Sequence, residues 1–214
     1  MIPKIRFKGF TDAWEQRKFA DVFIFLQNNT LSRAQLSNET GVAKNVHYGD
    51  ILINYGEVID ASNICPGYIK ESRTLEKFKS SILNDGDIVI ADTAEDETVG
   101  KCTEVKEIGN QNVISGLHTI PCHPLQKFAI GYLGYYINSH SYHNQLIPFM
   151  QGIKVTSISK SSLQKTMISY PKSLEEQRLI SKVFISLDTL ITLHQRKCDQ
   201  LKNVKMAMLQ KMFV

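Results

Sequence analysis

Asp92 ends a short apolar run, and Glu104-Val105-Lys106 follows it across a turn signal at Gly100-Lys101. An aspartate with a Glu-x-Lys pair can hold Mg²⁺ and activate water for phosphodiester cleavage, so a stand-alone Mg²⁺ nuclease is one reading of this chain. A second possibility is zinc, through His118, Cys122, His123, His140 and His143. These residues lack two ligand pairs at zinc spacing, which favours ordinary side chains and no metal. Other chemistry is excluded by missing motifs. There is no G-x-x-x-x-G-K-[ST] for nucleotide phosphates and no G-x-G-x-x-G. A G-x-S-x-G elbow is absent as well. The sequence also lacks the Asn/Asp-Pro-Pro-aromatic segment of an amino-methyltransferase. Glu-x-Lys is common by chance. The acidic group Asp92, Glu95, Asp96 and Glu97 reads better as a polar loop at a strand end, where a carboxylate can accept from a cytosine amino group in a major groove.

The elements that would carry such loops are legible in outline. Trp14 is expected in the core, followed by a strand at 22–26 and a polar stretch to Val46 with a helical turn at 31–36. Two segments echo one another, Gly49-Asp50-Ile51-Leu52-Ile53 and Gly86-Asp87-Ile88-Val89-Ile90; each predicts a turn followed by a buried strand. Between them, residues 54–80 form a charged surface excursion broken by Gly56, Pro66 and Gly67. A third strand is predicted over 113–120, closed by Pro121, and a helix from Pro124 with Leu125, Phe128, Tyr132 and Tyr136 on its face. Residues 140–170 predict a short helix, a turn at Gly152, a Ser-rich turn and a last strand near 165–169.

From Pro171 on there is neither Gly nor Pro. Ser173 with Glu176 three residues later fits a capping box, and helix formers run almost to the end. Ile180, Leu187, His194, Leu201 and Met208 recur every seven residues, beside an edge at Val183 or Phe184, Leu190 or Ile191, Val204 and Met212. A seam at period 3.5 is a coiled-coil signature, which one helix cannot bury by itself. Such a rod is roughly 60 Å long at 1.5 Å per residue. The fold class expected is therefore mixed α/β (α+β) over residues 1–171, with a long C-terminal coiled-coil-forming α-helix over 172–214.

Bulk properties fit. The 214 residues carry 43% hydrophobic and 21% charged side chains, enough for a core and too ordered in composition for a disordered chain. A net charge of +4 permits a polyanionic partner. Four separated cysteines and no signal peptide or eighteen-residue apolar run point to a reduced cytoplasmic location, with no membrane contact and the cysteines as buried or idle thiols.

The order of Trp14-x-x-x-Lys18, His47-Tyr48-Gly49-Asp50-Ile51, Asp85-Gly86-Asp87-Ile88-Val89 and Ile114-Ser115-Gly116-Leu117-His118 resembles the specificity (S) subunits of type I restriction-modification systems. So do Gly152 with Ile158-Ser159-x-x-x-Leu163, Pro171-x-x-Leu174-Glu175-Glu176-Gln177-x-x-Ile180, and the closing Leu209-Gln210-Lys211-Met212-Phe213. The resemblance implies a non-catalytic DNA target-recognition domain joined to a spacer helix. It implies a methyltransferase (M) subunit carrying S-adenosylmethionine and a restriction/motor (R) subunit using ATP and Mg²⁺, with no cofactor on this chain. Complete members hold two recognition domains and two spacers. One of each here implies a half-subunit, natural or cut, or a second half on another polypeptide; a homodimer paired through the helix would read a symmetric, interrupted sequence and direct DNA methylation.

On that reading Arg33, Lys44, Lys101 and Lys154 are expected on phosphates, and Tyr55, Thr93, Glu95 and Gln151 at base edges. The helix-pairing residues are expected to be Ile180, Leu187, Ile191, Leu201 and Met208, with Arg196, Lys197, Lys202 and Lys205 facing DNA or the M subunit. A DNA-independent scaffold that only dimerises is the remaining alternative.

Overall fold

The computed structural model describes residues 2–64, 67–152 and 154–213. In chain order its elements are β1 (Glu15–Lys18), α1 (Phe19–Val22), β2 (Phe23–Phe25), β3 (Ala43–Val46), α2 (Tyr48–Ile53), β4 (Val58–Asp60), β5 (Tyr68–Ile69) and α3 (Ser72–Lys77). Then come β6 (Ile88–Ala91), β7 (Thr93–Ala94), β8 (Cys102–Lys106), β9 (Val113–Ser115), β10 (Thr119–Pro124), α4 (Tyr132–Ile137), α5 (His140–His143), β11 (Thr156–Ser157), α6 (Lys160–Leu163), β12 (Met167–Tyr170) and α7 (Leu174–Met212). The mixed α/β class and the long C-terminal helix are as the sequence predicts.

A sheet in the order β2-β10-β6-β8-β4 forms the centre, antiparallel except where β4 runs parallel to β8. Its residues alternate between two apolar layers. Ile88, Ile90, Cys102 and Cys122 face one cluster with Tyr132, Leu133, Ile137 and Tyr142. Val89, Ala91 and Val105 face the other, with Ile51, Tyr55, Ile59 and Leu83. Burial on both faces explains why β6 reads as an unbroken apolar run rather than an alternating one. A second sheet, β5-β3-β9, and two ribbons, β1-β12 and β11-β7, flank it.

Several expectations are corrected. The Gly49–Ile53 echo is helix α2: His47 accepts from the Gly49 N–H at its N-cap, and Ile51 is buried while Ile53 is exposed. Residues 113–120 are two strands, β9 and β10, with a reversal at His118 (φ 54), and Pro121 lies inside β10 opposite Val89. Helix α4 begins only at Tyr132, after Gly131 (φ 89), and Leu125 is exposed. Buried Glu104, on the Cys102 face of β8, accepts from the Gly131 and Gly134 N–H groups at 2.6 and 2.9 Å and so fixes that start. Trp14 is half-buried, its indole N–H 3.3 Å from Glu176. Cys102 and Cys122 are buried and Cys198 exposed; Cys65 and Pro66 lie outside the described residues.

Helix α7 is fastened over its first four turns. Ser173 accepts from the Glu176 N–H at 3.3 Å, as the capping signal predicts. The Glu176 side chain instead takes two bonds from the Arg6 guanidinium, at 2.7 and 2.9 Å. Gln177 accepts from the Ala129 N–H and donates to the Pro171 carbonyl. Tyr135 stacks on Phe184 at 5.1 Å and bonds Asp188. From residue 182 to 213 every residue is exposed.

Candidate nucleic-acid interface

The side chains expected to meet DNA divide into two groups. Tyr55 is corrected: it is 4% exposed and packed in the second apolar layer, out of reach of any base edge. The Lys44 ammonium donates to the Ala61 carbonyl at 2.6 Å and that of Lys101 to the Leu52 carbonyl at 3.1 Å. Both are half-buried and tie loops together; Lys101 caps the carbonyl end of α2, where a cation is favoured.

The other five fall along one edge. Arg33 is 54% exposed and bonds the buried Asp50 carboxylate at 2.7 Å, which holds the guanidinium in place. Asp50 also accepts from the Asn54 amide. Beside it, burial and then the nearby Arg33 charge push the His47 imidazole below its ordinary pKa. A neutral ring suits its role as acceptor from the Gly49 N–H. The His47 ring lies 4.7 Å from Tyr48, and Tyr48 meets the His118 ring edge-on at 5.2 Å. His118 in turn lies 3.4 Å from both Asp92 and Thr93. Thr93 pairs with Ser157 across the β7-β11 ribbon, and Gln151 bridges back to Ser157. Exposed Glu95 and Lys154 flank the ribbon. Gly152 (φ 126) makes that loop possible, because a Cβ there would meet the Val155 carbonyl at 1.8 Å.

Arg33, Thr93, Glu95, Gln151 and Lys154 are therefore brought to one ridge, with donors, acceptors, aromatic faces and two cations exposed along it. Sequence reasoning named Tyr48 and His118 only within longer motifs, and His118 as a possible zinc ligand, not beside the DNA-contact candidates. Its usable signal was Ser115-Gly116, a turn dipeptide that the apolar run had hidden.

The nuclease trio does not converge. Glu104 faces Ile88 across the sheet, while Asp92 lies four residues beyond it, roughly 13 Å at strand spacing. Glu104 is committed to α4, and Lys106 bonds Glu107 at 2.9 Å. Among the described residues no group of three or more His, Cys, Asp or Glu is placed to hold a metal ion.

Of the pairing residues, Ile180 is half-buried against the chain's own core. Leu187, Ile191, Leu201 and Met208 are 47%, 65%, 62% and 53% exposed. No described helix is long and apolar enough to cross a membrane.

A family model described as the type I restriction modification DNA specificity domain matches residues 11–203. The chain belongs to this family. Specificity subunits are the non-catalytic DNA-recognition components of restriction-modification systems, so membership does not make the chain an enzyme. The fold is shared with solved specificity subunits. One, the S subunit of a type I system from M. genitalium, is 14% identical with a TM-score of 0.57 over 94% of this chain and 47% of its own. A structure titled for complex assembly and conformational transition of the type I R-M system is 17% identical, TM-score 0.61, over 94% and 46%. The HsdS subunit from Thermoanaerobacter tengcongensis is 17% identical, TM-score 0.56, over 99% and 47%. The specificity domain here thus spans about half the length of these chains. A search of curated proteins found no match.

Proposed function

We propose that this chain reads one half of a bipartite DNA target for a type I restriction-modification complex. Two copies would pair through α7 as a coiled coil, setting two reading heads a fixed distance apart on one duplex. The single observation that carries this reading is the bare stripe of α7, with Leu187, Leu190, Ile191, Leu201 and Val204 all exposed. A second copy would supply the cover and bring a second head. The ridge from Arg33 to the β7-β11 ribbon would face the duplex, with Arg33 and Lys154 on phosphates. Glu95, Thr93 and Gln151 would lie near base edges.

The chain would dock the M subunit, which carries S-adenosylmethionine. The R subunit, which uses ATP and Mg²⁺, would join through the same core. This chain's part is to bind and orient DNA, in the cytoplasm. The test is co-purification with the cognate methyltransferase subunit followed by a map of methylated sites. An interrupted two-part motif is expected, with the two parts related by symmetry when both heads are copies of this chain. Methylation scattered without a shared motif would defeat the proposal. Arg33→Ala should weaken binding to all sequences alike and lower the salt slope by about 0.9, the value for one phosphate contact.

A further inference from the structure

The His118 ring stands at the middle of the ridge. Its backbone is left-handed (φ 54), a conformation unfavourable for a residue bearing a Cβ. Strain of this kind persists only where the surroundings over-determine it. Here they do. The Thr119 hydroxyl bonds the Gly116 carbonyl and the Ser115 hydroxyl, and Asn29 ties the Ser115 carbonyl to Asn45. That network lies buried beneath the turn, while the imidazole it presents is 47% exposed.

The position of the ring proton follows from its neighbours. The Thr93 hydroxyl donates its one hydrogen to Asp92 at 2.7 Å, so it meets His118 Nδ1 only as an acceptor. The Asp92 carboxylate, 3.4 Å from the same nitrogen, also only accepts. The neutral ring therefore carries its hydrogen on Nδ1 and leaves Nε2 as a lone-pair acceptor. No described residue bonds Nε2. The Tyr48 ring packs edge-on against the imidazole and holds its plane.

We infer that His118 is a specificity-determining residue whose Nε2 accepts from an exocyclic amino group of a base, adenine N6 or cytosine N4, in the major groove. Asp92 and Thr93 are positioning residues that set its tautomer. The inference rests on the DNA-reading proposal above. It places base discrimination at a turn residue between two strands.

The test uses the full chain with the subunits that accompany it, a library of randomised duplexes, and sequencing of the bound fraction. The wild type should prefer adenine or cytosine over guanine and thymine on one strand, at one position of each half-site; the recovered sequences tell the two apart. His118→Gly and His118→Asn both tolerate the left-handed backbone, so the turn should survive in each. Each should flatten that one position by roughly tenfold while other positions and the salt dependence stay as they were. Asp92→Ala should flatten the same position by a few-fold, which a general loss of stability would not do. Unchanged preference at every position in both His118 variants overturns the assignment and leaves DNA reading standing. A uniform loss across all positions also overturns it, because the residue would then only hold the fold. A wild type with no preferred position sinks the DNA-reading proposal, and this inference with it.

Discussion

The centre of the globule and the outer part of α7 are both apolar in sequence, yet they meet opposite fates. Ile88, Val89, Ile90 and Ala91 of β6 are all 0% exposed, because helices and strands of the same chain cover both faces of the sheet. Leu187, Leu190, Ile191, Leu201 and Val204 lie on the part of α7 where every residue from 182 to 213 is exposed. Burying one such side chain is worth about 1.5 to 3 kcal/mol. The globule collects that energy within one copy. The rod forgoes it until another surface arrives. Apolar pattern alone therefore does not say where a residue is buried; it says that something must bury it. In the pairing proposed above, that something is a second α7.

The comparison is tested most severely by placing a charge in the stripe. Leu187→Asp should weaken self-association by about a thousandfold, on the order of 4 kcal/mol, because a two-fold interface receives the change twice and must desolvate both carboxylates. Sedimentation should then report a single-copy mass, with circular dichroism still showing a folded globule. A mass that Leu187→Asp does not alter would mean that the stripe is not what pairs. The matching change in the globule is Leu133→Ala, at a residue 0% exposed between α4 and the sheet. It should cost about 3 kcal/mol in urea melts through the cavity it leaves, without changing the sedimented mass at concentrations where both proteins are folded. Equal effects of the two substitutions on mass would erase the distinction between the regions.

Legibility in the sequence followed the same division. Helix α7 was readable because its determinants are local: a Ser173 cap, a run without Gly or Pro, and one repeating seam. Strand β6 was readable because four apolar residues follow a turn. Helix α2 was not, since the same Gly-Asp followed by apolar residues occurs at both. What separates α2 is the cap from His47, and the Asp50 carboxylate anchored to Arg33 from seventeen residues away. Pro121 sits within β10 because its carbonyl still accepts from the Leu26 N–H across the sheet, and no local rule foretells that partner. The ridge shows the limit most clearly. Tyr48 and Tyr55 are both tyrosines beside α2. The first lies at its start and meets His118; the second follows its end, bonds back to the Asp50 carbonyl and turns into the core. Which of them faces outward is settled by the packing of α2 on the sheet, not by the residues around either one.

The finest difference between the two regions concerns charge. The stripe of α7 meets water, whereas the globule encloses a carboxylate. Burial pushes Glu104 up to about 7, against the downward pull of the Gly131, Gly134 and Leu133 N–H groups. Its folded value lies above the ordinary 4.5, so the native state holds this proton more tightly than the unfolded chain does. The stability it contributes is therefore fully present below about pH 4.5 and is lost as the pH rises through about 7. The expected loss across that window is about 3 kcal/mol. It is best measured in the Leu187→Asp background, where association adds nothing to the melt. Glu104→Gln removes the titration, so the stability of the parent relative to that variant should fall steadily as the pH is raised from 5 to 7. A difference that stays level across those melts would mean that the α4 backbone N–H groups outweigh burial. Glu104 would then enter the core already ionised, and the globule would tolerate charge as readily as the rod does.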